Sequence, residues 1–447
     1  MSAAKEKDFS KFRDYEFGGP VGGIALILFS HFLVYYLWIA VTFYEGALIY
    51  PHGLADIGPF LGRMWAHIRE HAAPTWGAVA FYGGFVLLQG ILYVVMPGVK
   101  VRGLPIPSRN NARLEYTCNG IGAWYVTLGL AAVLHFTHIL PLTYLVDHLG
   151  SVLTVAVLTG NALAAYVFLE AKVARTENRA SGNALYDFFM GINLNPRIGN
   201  LDIKMLAEIR ISWILLFLVT CSAAAKQVEM LGYLPASAAF MVVAHFLYAN
   251  ACQKGEECIP TTWDIFHENF GWYLSFWNLA GVALTYSFQS LYLYHNAPIT
   301  HSTPYTVICF VMLLGAYWIW DTANSQKNRF RMQLEGTLIK RRTFPQLPWG
   351  TLEKPEYLST KAGSKLLVDG WYRYARKIHY TADVVMALSW GLICGFDHFL
   401  PYFYFVFFVG MITHRYLRDM KRMREKYGED FEIYRRRVKY AFIPGVF

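Results

Sequence analysis

Apolar residues in this chain gather into ten long runs, near 20–43, 76–97, 119–140, 149–170, 205–225, 236–251, 271–293, 304–322, 381–398 and 401–417. About 20 consecutive apolar residues let an α-helix cross a hydrocarbon core. The pattern predicts an all-α, polytopic integral membrane protein with about ten transmembrane helices. The sixth, ninth and tenth runs are short, and only the turn at 398–401 parts the last two. These three are expected to be tilted, kinked or shielded by protein. The first run is too long for the apolar part of a signal peptide and reads as a span.

The polar segments between the runs support this map. On one side fall the N-terminal tail and 98–118, 171–204, 252–270, 323–380 and 418–447, which carry most of the Lys and Arg. The opposite loops 141–148 and 294–303 have none, 226–235 has Lys226, and 44–75 has Arg63 and Arg69. Basic residues concentrate in cytoplasmic loops, so both termini are expected in the cytosol. The chain then divides into a tail (1–19), helices one to eight (20–322) and a C-terminal part (323–447). That last part holds a long insert, two more helices and a basic tail. A connection as long as 323–380 is rarely idle, and Pro345, Pro348 and Pro355 prevent it from being one helix.

Composition agrees. Of 447 residues, 55% are hydrophobic and 16% charged, with a mean hydropathy of +0.29; soluble domains carry about 25% charged residues. The net charge of +9 is uneven: 323–380 and 414–447 hold 22 Lys and Arg against 9 Asp and Glu, which leaves the rest of the chain at −4. Such a patch suits anionic lipid or a polyphosphate cofactor. Nucleic acid is excluded as a partner because the basic runs are tied to spans. The six cysteines are scattered with no CxxC pair, so neither a disulfide framework nor a metal site is signalled. Neither GxGxxG nor GxxxxGK[ST] occurs, so a bound dinucleotide needs a pocket of another kind.

Four segments could carry chemistry. Lys327 and Arg331, four apart on a helix leaving the membrane, share a face and could clamp a phosphate; a positive-inside flank explains them too. Arg415, Arg418 and Arg422 recur around Asp419, with Tyr427 and Tyr434 beyond, as either a cofactor site or a helix touching anionic headgroups. Trp371, Tyr372, Tyr374 and Tyr380 could be an interfacial aromatic belt, yet His379 and Tyr380 stand where the chain enters the membrane. Finally Tyr248, Glu256, Glu257, Asp264 and His267 supply proton donors at the end of a short span, where ionisable groups are functional or paired.

These segments resemble those of the sterol reductases, which act on double bonds of the sterol nucleus or side chain. One family signature is matched by GNALYDFFMGINLNPR at 182–197, the other by HRYLRD at 414–419 followed by KYGED at 426–430, and IPGVF at 443–447 also fits. Met423 stands where members often have Cys. KMLAEIRISW at 204–213, ANACQKGEECIPTTWD at 249–264, NSQKNRFRMQL at 324–334, KRRTFPQLPWG at 340–350 and ARKIHYTAD at 375–383 are most similar to the fungal C-24(28) reductases. The nuclear-ring (Δ7 and Δ14) reductases usually have Trp at Tyr372, Arg-His at Arg376-Lys377 and Asn at His379.

The resemblance implies a cytoplasm-facing NADPH pocket in the C-terminal half, with contacts at Lys327, Arg331, Leu367, Tyr372, His379, Tyr380, Asp419, Met423, Tyr427 and Tyr434. Arg415 joins this set on charge. It further implies a sterol taken from the bilayer and reduction by protonation followed by hydride transfer. Tyr248 is the first candidate for the proton donor, with Glu257 and Asp419 behind it. The alternatives are a Δ7- or Δ14-sterol reductase, a membrane S-adenosylmethionine-dependent methyltransferase, or a non-catalytic sterol-binding protein. The expected location is the endoplasmic reticulum membrane for a eukaryote and the inner membrane for a bacterium. Oligomeric state is not signalled.

Overall fold

The computed structural model describes Phe12 and residues 14–106, 109–339 and 344–446. Of the segments singled out above, most of the N-terminal tail, residues 340–343 of the similar stretch at 340–350, and Phe447 lie outside the described residues.

Five helices among the described residues are long and apolar enough to cross a membrane. They are α1 (Gly19–Phe43), α3 (Trp76–Val95), α5 (Leu149–Ala174), α7 (Ile203–Leu231) and α11 (Thr303–Glu335), and each coincides with an expected span. Between them lie α2 (Ile57–His71), α4 (Gly120–Phe136), α6 (Ala184–Met190), α8 (Ala236–Lys254), α9 (272–285) and α10 (Phe288–His295). After α11 come α12 (Ile378–Leu392), α13 (Phe403–Tyr427) and α14 (Glu429–Arg437). The other five expected spans are therefore helical but shorter, broken or more polar. The seventh divides into α9 and α10.

Among the described residues three small antiparallel ribbons interrupt the helical pattern, a feature the run of apolar residues did not announce. They pair β1 (Val99–Arg102) with β2 (Glu115–Cys118), β3 (Arg197–Ile198) with β4 (Leu201–Asp202), and β5 (Tyr357–Ser359) with β6 (Lys365–Leu367).

The chain forms two compact units, one of Met1–Leu234 with Tyr248–Pro298, the other of Pro235–Leu247 with Ile299–Phe447. In the first, α7 and α9 each contain a π-helical stretch, Leu206–Ile211 and Trp277–Gly281. The π turn in α7 carries Arg210, whose Nη2 lies 3.0 Å from the Glu256 carboxylate with both side chains sealed from solvent. Glu256 also accepts from the Gly120 amide at 2.7 Å, and the Arg210 guanidinium sits 4.5 Å from the Tyr93 ring centre. This acid at the end of α8 is thus a structural ion-pair partner, which removes it from the proton donors suggested at 248–267. In the second unit α11 packs along α12, and α12 against α13. The helix α11 runs on for 13 residues beyond the expected membrane exit at 322, carrying its basic end clear of the apolar stretch.

Candidate functional site

The C-terminal half of the second unit assembles from pieces that are far apart in sequence. Gln326 on α11 holds the insert by both ends of its amide, accepting from the Trp371 amide at 2.9 Å and donating to the Trp349 carbonyl at 2.8 Å. The Trp371 indole donates to Thr322 Oγ1 at 2.8 Å. Gly370 makes this approach possible: its φ is +58°, and a Cβ there would collide with the Gln326 amide. Leu367 and Tyr372 then pack with Phe330, Ala375 and Ile378 in one buried cluster. Met423 and Tyr427 pack against a second, formed by Val368, Met420, Phe431, Tyr434 and Val438.

The C-terminal segment is strapped to the entry of α12. The Arg376 and Lys377 amides donate to the Tyr440 and Ala441 carbonyls at 3.0 and 2.8 Å, and Thr381 Oγ1 to the Phe442 carbonyl at 2.9 Å. Arg376, itself buried, donates to the Lys439 carbonyl at 2.9 Å and to that of Val438. Lys377, His379 and Tyr380 are presented on this clamped turn.

Their side chains meet the cations of α11 and α13. Lys377 Nζ lies 2.5 Å from Asp419 Oδ2 and 5.6 Å from the Tyr380 ring centre. Lys327 Nζ lies 5.7 Å from the Tyr372 ring centre, and Tyr372 Oη is 3.5 Å from His379 Nδ1. The charges that bear on Lys327 are those of Lys377, Arg331, Asp419 and Arg415, and His379 feels Lys327, Lys377 and Arg415. Lys327 thus has three cations and one carboxylate as charged neighbours, and the Asp419 carboxylate feels Lys377, Lys327 and Arg422.

The electrostatics outside the spans follow from that arrangement. Burial, reinforced by the neighbouring cations, keeps the His379 imidazole neutral by pulling its pKa well below the usual value. Burial alone would lower the Lys377 ammonium and raise the Asp419 carboxyl. Their mutual attraction and hydrogen bond outweigh this, so Lys377 is raised and Asp419 lowered. Burial pushes Tyr434 up to about 12.

Of the residues expected from sequence, the structure brings together Lys327, Arg331, Tyr372, His379, Tyr380, Arg415, Asp419 and Tyr434, with Leu367, Met423 and Tyr427 in the flanking apolar clusters. Tyr248 and Glu257 belong to the first unit. Tyr248 is buried there with its ring 4.9 Å from Trp213, while Glu257 is half-buried. Sequence reasoning missed Lys377, Gln326 and Arg376. Lys377 lies two residues before His379, but nothing local signals a partner 42 residues further on.

A cluster with several cations, one ionised carboxylate and flat tyrosine faces fits a polyanionic, aromatic ligand. A dinucleotide phosphate meets that description: arginine forks and lysine ammonium groups suit phosphates, and the half-buried Asp419 carboxylate can accept hydroxyl or amide hydrogens.

Comparison with known proteins gives this cluster a context. The profile of the ergosterol biosynthesis ERG4/ERG24 family matches residues 11–447. The chain is 44% identical over 437 residues to the Delta(24(24(1)))-sterol reductase erg4A of Aspergillus fumigatus, covering 97% of this chain and 93% of that one. It is 43% identical over 444 residues to the Delta(24(24(1)))-sterol reductase of Gibberella zeae (97% and 73% covered). A Delta(14)-sterol reductase of Methylotuvimicrobium alcaliphilum is 37% identical over 417 residues (93% and 92% covered).

Proposed function

The chain belongs to the ergosterol biosynthesis ERG4/ERG24 family, and on that premise we propose that it is an NADPH-dependent Delta(24(24(1)))-sterol reductase, reducing the C-24(28) double bond of a sterol side chain. Higher identity to the two side-chain reductases than to the Delta(14) enzyme favours this bond over one in the nucleus. The observation that carries the cofactor assignment is the gathering of Arg331, Lys377, Arg415 and Asp419 about Lys327, with Lys377 paired to Asp419. Two basic stretches, remote in sequence, supply it together.

In this reading the ten expected spans form the membrane body and the cation cluster faces the cytosol. Lys327, Arg331, Arg415 and Lys377 bind the phosphates, and Tyr372, Tyr380, Tyr427 and Tyr434 offer ring faces. Leu367 and Met423 line the site. Neutral His379 is a hydrogen-bond partner without charge, and Asp419 accepts hydrogen bonds from the ligand. When bound, NADPH supplies the hydride equivalent.

An isolated alkene does not accept hydride, so a proton must reach the terminal methylene carbon first and leave positive charge at C-24. Asp419 is held ionised by Lys377 and is not that acid. Tyr248, buried, is our first choice, with half-buried Glu257 the second. A closed apolar site keeps water from trapping the cation. The sterol enters from the bilayer, and the endoplasmic reticulum is the membrane expected for a fungal-type enzyme.

The test is incubation of membranes carrying the protein with 4-deuterated NADPH and a panel of unsaturated sterols, read by mass spectrometry. Deuterium at C-24 of a 24(28)-methylene sterol is expected. Label appearing only in nucleus-reduced products would reassign the bond, and transfer of a methyl group from S-adenosylmethionine would overturn the enzyme class. Tyr248→Phe should lose turnover with both ligands still bound; normal turnover would move the acid elsewhere.

A further inference from the structure

The loop joining the first two spans contains a helix with an uncovered apolar face. At about 100° per residue, Ile57, Leu61, Trp65 and Ile68 of α2 fall within about 80° of arc, and Leu61 and Trp65 are 49% and 64% exposed. Leu54, just before the helix, is 90% exposed. Phe60 and Met64 occupy the next sector and are buried. The far side carries Arg63, Gly62, Arg69 and Glu70, with Arg63 paired to Asp56 at 3.2 Å. The helix thus has three faces: one against protein, one apolar and open, one polar.

Its height relative to the spans is fixed. The His67 ring stacks on Phe43, the last residue of α1, at 4.2 Å, and His71 lies 5.0 Å from the same ring. Just past the helix, the Ala73 carbonyl accepts from Ser151 Oγ in the first turn of α5 at 2.8 Å. A Cβ on Gly150 would lie 2.5 Å from the His71 carbonyl oxygen, so only glycine permits this approach. Only residues 72–75 separate α2 from the start of α3. Three spans therefore hold α2 at the level where α1 ends and α3 and α5 begin.

We infer that α2 lies in the plane of the bilayer surface, in the leaflet remote from the β1–β2 ribbon, with Leu54, Ile57, Leu61 and Trp65 inserted at the boundary between headgroups and acyl chains. The occupant of the open face is lipid because apolar spans hold α2 at the level where they end, and Trp76 at the start of α3 is exposed at that same level. A tryptophan at an interface, with arginines on the water side, is the arrangement such helices adopt. This inference does not depend on the reaction proposed above.

The test uses the full chain in lipid nanodiscs with a nitroxide on a single introduced cysteine, Leu61→Cys or Trp65→Cys on the apolar face and Gly62→Cys or Arg69→Cys on the polar one. All four positions are exposed, and a side chain at Gly62 meets open space, so folding is retained. The unmutated chain, treated identically, gives the background from native cysteines. Collision with dissolved dioxygen should exceed collision with a water-soluble nickel chelate at 61 and 65, and the order should reverse at 62 and 69. Equal exposure to the chelate at all four positions would overturn the inference. So would protection of 61 and 65 from both reagents, which would indicate a protein partner or a second copy.

Discussion

The two stretches that carry the family resemblance do opposite things. In 182–197 Asn183, Asp187, Asn193 and Arg197 all bond to partners inside the first unit. Asp187 accepts from the Ser181 amide and hydroxyl at 2.7 Å each, and Asn183 caps α6 through the Tyr186 amide. Asn193 donates to Glu170 at 2.7 Å and Arg197 to Asp202 at 3.0 Å. That motif closes on itself and holds loops to the ends of spans. In 414–430 positive charge outnumbers negative, and Arg422 of α13 joins Lys327 of α11 and Lys377 in acting on a single acid, Asp419. A motif can thus identify a family by specifying its scaffold, while excess charge of one sign marks where a ligand belongs.

The strongest challenge to this contrast targets the scaffold of the first unit. Arg210→Met leaves Glu256 buried without its ion partner, a change that costs about 3–5 kcal/mol in such pairs. The expected result is a large loss of folded protein in membranes, with unaltered NADPH dependence in whatever remains; a well-folded variant would show that the pair is dispensable. Next in size is the cofactor cluster. Lys327→Ala or Lys377→Met should raise the NADPH concentration needed by about ten- to a hundredfold, the effect of losing one charged hydrogen bond. Sterol binding should change little in either variant, and thermal stability little in Lys327→Ala but measurably in Lys377→Met, which leaves Asp419 without its ion partner. Unchanged cofactor dependence in either variant would remove that residue from the phosphate site. Smaller still is Asn183→Ala, which deletes one helix cap and should lower stability by about 1 kcal/mol. A change in NADPH affinity there would blur the distinction between the two motifs.

How much of this was legible beforehand depended on distance along the chain. Runs of apolar residues announced the five long spans because lipid imposes its demand on each helix separately. Lys327 and Arg331 were readable as a pair, being one helical turn apart. By contrast Arg210 and Glu256 are 46 residues apart, and Lys377 and Asp419 are 42. Neither partner choice leaves a local trace. Glu257 rather than Glu256 was advanced as a candidate acid, and the π-helical turn that aims Arg210 at Glu256 supplies a structural reason for that choice. Asp419 was weighed as a proton donor because an acid among bases has two readings; the lysine that bears on its charge comes from the turn before α12.

The Lys377–Asp419 pair offers the finest test, because the two regions should also differ in how charge responds to pH. A carboxylate whose pKa is lowered on folding adds stability that is present above its ordinary value of 3.8 and is lost as pH falls through the folded value below it. An ammonium whose pKa is raised adds stability that is present below 10.5 and is lost as pH rises through the folded value above it. Between those limits both groups stay charged in folded and unfolded chains alike. Subtracting the stability of the double variant Lys377→Met/Asp419→Asn from that of the parent should therefore give a flat difference from about pH 5 to 9, declining toward more acidic and more alkaline conditions. A step inside that range would mean that one partner changes protonation near neutrality. Asp419 would then return to the proton donors, and the side-chain acid of the first unit would lose its claim.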